Sequence, residues 1–219
     1  MALEVELRAA RVRYGPLEAL HGVDLPVAAG AMTVLLGRNG SGRSSALQAL
    51  AGVAPLAAGS VRWYGGSERA RDITTMDTFR RSRLGIALLP AEQGVFPSLT
   101  VAENLTLLSG AGVPAALALF PELEPLLSRT AGTLSGGEQR MVALSRVLTG
   151  PGRLLLLDEL GLGLAEEVVA RVHTALMALV AAGRTVVLAE QSLPAAPAAP
   201  DLVFELRRGA VVAAYETAG

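Results

Sequence analysis

The sequence predicts an α/β fold built around buried parallel strands. Three segments support this prediction. An apolar stretch at 33–36 runs into a glycine-rich loop and a helix-competent segment, four leucines at 154–157 precede two carboxylates, and a third apolar run at 185–189 ends in polar residues. Continuous apolar runs of this length are typical of strands buried on both faces. Open α/β sheets bind ligands at the carboxyl ends of their strands, so these segments also indicate where a ligand would bind.

Apolar runs and turn residues divide the chain into further strands. Three stretches predict an amino-terminal antiparallel sheet, near residues 3–7, 23–27 and 60–64. The predicted core strands are Val34–Leu36, Gly85–Leu89, Leu154–Leu157 and Val186–Ala189. The stretch at 202–215, with a turn near Arg208 and Gly209, predicts a closing hairpin.

Helical segments are expected between these strands. Their predicted ranges are 45–51, 101–130 with glycine and proline interruptions, 138–148, and 165–182. The first is expected to end at Gly52, and Pro55 supports that end. Residues 192–200 are predicted to be irregular or polyproline-like, because Pro197 and Pro200 would each remove a helical donor.

Two further polar features are predicted to be structural. Arg80, Arg81 and Arg83 are interpreted as a solvated helix face, because three charges fall short of a basic patch. His173 lies in an amphipathic segment and is expected at a surface or rim position rather than as a ligand. The sequence contains no Cys/His cluster of the kind that binds zinc.

Length and composition narrow the class of protein. A chain of 219 residues is expected to form one domain of one or two lobes with a sizeable core. Its net charge of −1 does not favour nucleic acid as a partner, and the absence of cysteine excludes disulfides and thiolate sites. No signal-peptide pattern and no 18-residue apolar run is visible. Membrane association is therefore expected only through a partner.

Residues Gly37–Ser45, called the phosphate loop below, match the pattern Gly-x4-Gly-Lys-Ser/Thr except at Arg43. Backbone N–H groups and the positive end of a helix converge on an anion in such a loop. The candidate nucleotide-binding residues are Gly37, Asn39, Gly40, Ser41, Gly42, Arg43, Ser44 and Ser45. A glycine-rich turn without a ligand is the alternative reading of the loop. All 19 basic residues are arginine, so a compositional bias explains how Arg43 arose but not whether it functions.

Two carboxylates follow the four leucines. Asp158 can hold Mg²⁺ directly or through water, and Glu159 can polarise an attacking water. If the chain lacked a phosphate loop, the simpler interpretation would be that both residues end a strand and are solvated. With the loop, the functional interpretation is favoured.

Residues 134–140, called the signature segment below, read Leu-Ser-Gly-Gly-Glu-Gln-Arg. Ser135 can cap the following helix, with Glu138 completing a capping box. Gly136 and Gly137 would also let a phosphate approach the backbone. Because this second anion site cannot easily serve a nucleotide held by the phosphate loop, two chains facing each other could use it.

Over essentially all 219 residues the chain resembles the ATP-binding cassette (ABC) family. Residues 134–140 resemble the family signature, Tyr14 resembles the aromatic residue that stacks on adenine, and 95–105 resemble the segment after the glutamine loop. Within the family, 158–165 and 189–191 are most similar to ATPases of branched-chain amino-acid importers.

The resemblance implies a P-loop NTPase (RecA-like) core with an amino-terminal antiparallel β-sheet and a short helical signature subdomain. It implies one nucleotide-binding domain over 1–219. Residues 1–90 and 146–219 would form the core with the antiparallel sheet, and 91–145 the glutamine-loop region and helical subdomain.

The resemblance also implies roles for residues and partners. ATP and Mg²⁺ would be the cofactors, with Ser44, Asp158 and the candidate Gln93 at the metal, and Glu159 and Gln191 in catalysis. The signature residues acting across a dimer would be Ser135, Gly136, Gly137 and Glu138. Partners would be membrane permease subunits, a second identical or different cassette and, indirectly, a solute-binding protein. The chain would be cytoplasmic, attached to the inner face of the membrane through the permease.

Three positions depart from the family pattern. Arg43 keeps the positive charge of the usual lysine in a larger, planar group, which could displace a phosphate from in-line geometry. The glutamine position falls at Ala91, with Glu92 and Gln93 as neighbouring substitutes. Gln191 stands where other branches carry a histidine; it can donate a hydrogen bond but cannot take a charge.

Three functions follow from this pattern. The leading one is ATP hydrolysis for an importer of branched-chain amino acids or similar solutes, with two chains enclosing two nucleotides. The alternative is an ATP-binding, hydrolysis-impaired cassette paired with an active subunit, and the three departures motivate it. A soluble ABC protein acting on ribosomes or DNA is the third, although no tandem cassette, long insertion or basic surface is visible.

Overall fold

The computed structural model describes residues 2–92, 94–107, 112–193 and 199–217. Within these ranges the chain forms a four-stranded and a six-stranded sheet. The strands are β1 (Leu3–Tyr14), β2 (Leu17–Ala28), β3 (Met32–Leu36), β4 (Ala58–Trp63), β5 (Arg71–Asp72), β6 (Ile86–Leu89), β7 (Leu154–Asp158), β8 (Thr185–Glu190), β9 (Leu202–Arg207) and β10 (Ala210–Glu216). The α-helices are α1 (Arg43–Ala51), α2 (Thr78–Arg83), α3 (Val101–Thr106), α4 (Gly112–Leu119), α5 (Gly136–Thr149) and α6 (Glu166–Ala181). Two 3₁₀ helices lie at Pro121–Leu126 and Ala131–Thr133.

The predicted amino-terminal sheet is confirmed as antiparallel, in the order β2-β1-β4-β5. Its first strand is longer than the predicted 3–7. The pairing shifts register between Leu7 and Ala10, and Ala9 between them adopts a positive φ of 45°. Such a bulge interrupts the alternation of buried and exposed residues, which is why the sequence pattern ended early.

The larger sheet has the order β10-β9-β3-β8-β7-β6. Strands β9, β3, β8, β7 and β6 run parallel, and β10 pairs antiparallel with β9 across the predicted turn at Arg208 and Gly209. The four predicted core strands are confirmed, each with bounds within two residues of the prediction. Because β3, β8 and β7 are adjacent and parallel, their carboxyl ends meet at one edge of the sheet.

Apolar side chains cover both faces of the parallel sheet. In β7, Leu154 and Leu156 belong to a core shared with α1 and the antiparallel sheet. Leu155 and Leu157 belong to a second core with helices α3 to α6. All four leucines are fully buried, as their continuous apolar run predicted.

The helix predictions are confirmed in type. Helix α1 ends at Gly52, which has a left-handed φ of 78° and donates to carbonyls of the last turn. The segment 101–130 forms two short helices and a 3₁₀ helix, and 108–111 lie outside the described residues. Ser192, Leu193, Ala199 and Pro200 are not helical, whereas Pro197 lies outside the described residues.

Two sequence interpretations are wrong. Arg81 in α2 is not on a solvated face but 2% exposed. Its guanidinium donates to Ala49 O at 2.7 Å and Leu50 O at 2.9 Å, at the carboxyl end of α1, as well as to three other backbone carbonyls. His173 is also buried, and this burial lowers the pKa of its imidazole. The Arg81 side chain faces a neighbouring element, which periodicity within one helix does not show.

Across the part of the chain that the structure describes, no helix is both long and apolar enough to span a lipid bilayer. The division into 1–90 with 146–219 and 91–145 stays a prediction.

Candidate functional site

The phosphate loop connects the central strand β3 to helix α1. Gly40 and Gly42 adopt left-handed φ angles of 76° and 103°, and Gly42 caps α1 without any side-chain hydrogen bond. A Cβ atom at Gly42 would lie 2.8 Å from Ala19 O, and one at Gly37 would lie 2.5 Å from Leu206 O. Backbone packing therefore requires glycine at these positions. The first N–H groups of α1 have no side-chain cap, which is the arrangement that suits an anion.

Arg43 is the first residue of α1, and its side chain is only 4% exposed. Its Nη2 atom lies 3.4 Å from Glu159 Oε1, and its Nη1 atom is buried with no hydrogen-bond partner in the described residues. A cation at a helix amino terminus opposes the helix dipole. A buried guanidinium there with a free donor is suited to bind an added anion.

Asp158 at the end of β7 is 4% exposed and hydrogen-bonds with Ser44. Burial, and to a lesser degree the charge of Glu159, raise the pKa of the Asp158 carboxyl, whereas Ser44, Arg43 and Arg140 act in the opposite direction. Its Oδ1 atom is buried without a hydrogen-bond partner. Mg²⁺ at phosphate sites takes one or two protein oxygens together with phosphates and waters, and Ser44 with Asp158 fits that donor set.

Glu159 brings three distant segments together. Arg43 Nη2 at 3.4 Å and Gln191 Nε2 at 3.3 Å both approach its Oε1 atom. Its backbone is left-handed, with φ 48°, a conformation that costs a non-glycine residue about 1–2 kcal/mol. Strain of this kind persists where surrounding contacts over-determine it, often at functional sites.

Glu190 is a residue to which the sequence analysis assigned no role. It ends β8, and its Oε1 atom accepts a hydrogen bond from Leu160 N at 2.9 Å. Burial is the main cause that raises the pKa of its carboxyl. Its position directly before Gln191 in an apolar strand was the available signal. Glu190 supports the turn after β7 from the adjacent strand.

Tyr14 lies at the end of β1 beside helix α1. Its hydroxyl donates to Gln48 Oε1 at 3.0 Å, and the residue is 45% exposed. The hydrogen bond orients the ring next to the helix that follows the phosphate loop. Its exposed fraction leaves ring surface available for stacking.

The signature segment begins helix α5 with the predicted capping box. Glu138 N donates to Ser135 Oγ at 3.3 Å, and Ser135 N donates to Glu138 Oε2 at 2.7 Å. Hydrogen bonds to the Glu138 carboxylate from the Ser135 backbone N–H and, second, from the Ser135 side chain lower the pKa of that carboxyl. A Cβ atom at Gly136 would meet nothing within 4 Å, whereas one at Gly137 would lie 2.6 Å from Gly163 O.

The phosphate loop and the signature segment border different cavities within one chain. A cavity of about 240 Å³ is lined by loop residues 39–45 and Glu159. Another, of about 270 Å³, is lined by Gly136, Gln139, Ala91 and their neighbours. Of the candidates around the glutamine position, Ala91 and Glu92 are described, whereas Gln93 lies outside the described residues.

The glycine loop after β3, with carboxylates at the end of β7, defines the class of P-loop nucleotide-binding proteins. Solved structures support the fold. The ADP conformation of an ATP-binding cassette of an ABC transporter has a TM-score of 0.79 at 24% identity, covering 99% of this chain and 92% of that chain. A dimeric cassette bound to ADP and Pi has a TM-score of 0.84 at 22% identity, covering 98% and 99%.

Sequence comparisons identify the family. The ABC transporter family model matches residues 20–160. The high-affinity branched-chain amino acid transport ATP-binding protein BraG of Pseudomonas aeruginosa is 36% identical over 91% of this chain and 87% of its own length. The probable branched-chain amino acid transport ATP-binding protein LivF of Archaeoglobus fulgidus is 38% identical over 67% of this chain and 63% of its own length. The chain therefore belongs to the ABC transporter family, as an ABC ATPase similar to those of branched-chain importers.

Proposed function

We propose that the chain binds ATP with Mg²⁺ and hydrolyses it for an importer of branched-chain amino acids or similar solutes. The observation that carries this proposal is the contact of Gln191 with Glu159, beside a phosphate loop whose helix terminus is uncapped. The relatives named for branched-chain amino acid transport support the solute class.

Each residue has a proposed part in the reaction. The phosphate loop binds the triphosphate through its backbone, Arg43 supplies positive charge, and Tyr14 stacks on adenine. Ser44 and Asp158 would hold Mg²⁺, which when bound would neutralise charge on the β- and γ-phosphates. Glu159 orients the attacking water, and Gln191 donates toward the γ-phosphate.

The proposed assembly contains two cassettes. The signature residues Ser135 to Glu138 of one chain would complete the nucleotide site of the other, because the two segments border separate cavities within one chain. Residues 1–90 and 146–219 would form the core and 91–145 the helical part. The cassettes would be cytoplasmic and held at the inner membrane face by permease subunits, with a solute-binding protein as an indirect partner.

One observation favours a second function. Arg43 contacts the same carboxylate that would activate water, and a carboxylate paired with a guanidinium is less available to a water molecule. This contact supports the alternative of an ATP-binding, hydrolysis-impaired cassette that regulates an active partner subunit.

A titration with ATP and Mg²⁺, followed by steady-state ATPase assays, separates these functions. The importer ATPase is expected to bind ATP and turn it over, alone or with permease and partner cassette. The regulatory cassette would bind ATP without turnover alone, and the turnover of its assembly with an active partner would not change when its own Glu159 is replaced by glutamine. Tyr14→Ala should weaken ATP binding by about 1–3 kcal/mol, the typical worth of a base–aromatic stack. Absence of ATP binding to the parental chain would overturn both functions, and unchanged affinity in the variant would reject the stacking role.

A further inference from the structure

The guanidinium of Arg140 in α5 joins the carboxyl ends of two strands. It is 6% exposed. Its Nη1 atom donates to Pro90 O at 2.6 Å and Ala91 O at 3.3 Å, directly after β6. Its Nη2 atom donates to Asp158 O at 2.5 Å and Glu159 O at 2.8 Å, at the end of β7. One planar side chain thus fixes the backbone of the carboxylate pair and the stem of the predicted glutamine loop.

The hydrogen bond from Arg140 to Glu159 O is made to the residue of the site whose backbone is strained. Glu159 is left-handed, its N–H donates to Ala189 O at 3.0 Å, and its carbonyl accepts from Leu162 N at 3.2 Å as well as from Arg140. A strained conformation persists only where its surroundings over-determine it. Of these contacts, the one from Arg140 links the turn to a different helix, so its loss would release the turn toward ordinary backbone angles.

We propose that Arg140 is a positioning residue that holds the Glu159 carboxylate in its reactive orientation and ties it to the stem of the glutamine loop. The proposal rests on the proposed function, because it assigns Arg140 a part in the same hydrolysis. A guanidinium is needed because its fork reaches carbonyls of two strands at once. The ammonium of a lysine is a point charge that cannot span both pairs. Arg140 lies one helical turn from Gly136, so the signature segment and the carboxylate share one rigid connection.

Arg184 provides a matched control within the same chain. It is also an arginine whose side-chain donors, among the residues that the structure describes, bind backbone carbonyls, those of Leu148, Gly150 and Gly152. Burial lowers the pKa of both guanidiniums. Arg184 lies at the amino ends of β7 and β8, at the opposite edge of the sheet from Glu159. A change there removes equivalent hydrogen bonds without touching the turn after β7.

The test compares Arg140→Met, Arg140→Lys and Arg184→Met. Both Arg140 variants are expected to lower kcat by ~10-fold or more, since small misplacements of reacting groups are costly, while ATP affinity changes less than about threefold. Arg184→Met should lose thermal stability but keep the parental kcat per folded molecule. Hydrogen–deuterium exchange supplies a readout without turnover: the amides of Glu159 and Leu162 should exchange faster in the Arg140 variants than in Arg184→Met.

The outcomes distinguish a failure of the positioning role of Arg140 from a failure of the proposed ATP hydrolysis. Parental kcat and parental exchange at 159–162 in both Arg140 variants would overturn the positioning role. A parental chain that binds ATP but never turns it over would overturn the proposed hydrolysis, and the exchange data would still decide whether Arg140 holds the turn. If Arg140→Met does not fold, Arg140→Lys keeps the charge and decides the question alone. Full rescue of kcat by lysine would show that charge, not the two-strand fork, is what Arg140 supplies.

Discussion

The two glycine-rich helix starts of this chain differ in how their backbone donors are satisfied. Helix α1 begins at a left-handed Gly42 that makes no side-chain cap, and its first residue is the buried Arg43. Helix α5 begins at Ser135, which forms a reciprocal capping box with Glu138 and lies in an exposed segment. Sequence alone makes both segments candidate anion sites. The structure shows that α1 leaves its donors open inside its own chain, whereas α5 satisfies part of its own and presents the remainder outward.

The comparison separates two kinds of anion site. The phosphate loop combines an uncapped helix terminus, a buried cation and nearby carboxylates within one molecule. At the start of the signature segment, a Cβ atom added to Gly136 would meet no atom within 4 Å, so the backbone there is open to an approaching group. It is therefore suited to approach a ligand already held by another chain.

Among the variants that test this comparison, Glu159→Gln should change ATP turnover the most. The substitution keeps the size of the side chain and removes the negative charge, so turnover should fall by roughly 10²-fold or more, the usual contribution of a general base. ATP binding to the phosphate loop should persist. The unhydrolysed nucleotide should then hold two chains together through the signature segment. Size-exclusion chromatography with ATP and Mg²⁺ should show this dimer. A variant that stays monomeric and hydrolyses ATP at the parental rate would remove Glu159 from catalysis.

Arg43→Lys tests what the buried cation of the first helix start does. A lysine keeps the charge but withdraws the planar group that contacts Glu159, so ATP hydrolysis should rise by about 10-fold, or ~1.4 kcal/mol of barrier. ATP affinity should change much less. Steady-state assays with and without partner subunits measure both. Equal turnover in the parental chain would mean that the loop has adapted to arginine. If neither protein turns over while both bind ATP, the limiting departure would be Ala91 or Gln191.

Alanine substitutions at two matched glycines should give the smallest effects, which are changes in the free energy of unfolding. The two changes should differ in sign or size. Gly42→Ala places a Cβ atom against Ala19 O and requires a left-handed alanine, so the free energy of unfolding should fall by at least about 1 kcal/mol. Gly136→Ala meets open space within a helix, so this free energy should stay level or rise by up to ~1 kcal/mol. Denaturant unfolding measures both changes.

The Gly136→Ala variant also tests how the ATP-dependent dimer forms. In the Glu159→Gln background, Gly136→Ala should weaken the ATP-dependent dimer. The added methyl group would occupy the space that the phosphate of a nucleotide bound to the other chain approaches. A dimer of parental affinity in that double variant would show that the backbone at Gly136 does not come close to the nucleotide.

Much of the fold could be predicted because its signals are local. The capping box of Ser135 and Glu138, the left-handed end of α1 at Gly52 and the hairpin turn at Arg208 each depend on a few adjacent residues. The doubly buried leucines of β7 were visible as an unbroken apolar run.

The remainder could not be predicted because it depends on contacts between distant segments. The approach of Arg43 to Glu159 joins residues 116 positions apart. Arg81 and Arg140 are buried because backbone carbonyls of other elements surround their guanidiniums, and nothing in a count of charges distinguishes them from exposed arginines. The sequence pattern predicted which residues meet at the carboxyl edge of the sheet, but not the hydrogen bonds among them.

The left-handed backbone of Glu159 has a consequence for protein engineering. Glycine occupies that region of conformational space without strain, so Glu159→Gly would relax the turn while removing the carboxylate. A library screened only for heat resistance would therefore enrich glycine at this position and accumulate proteins without the carboxylate that we propose orients the attacking water. Thermostabilisation of this cassette should accordingly exclude position 159 from randomisation and draw its gains from exposed helix positions.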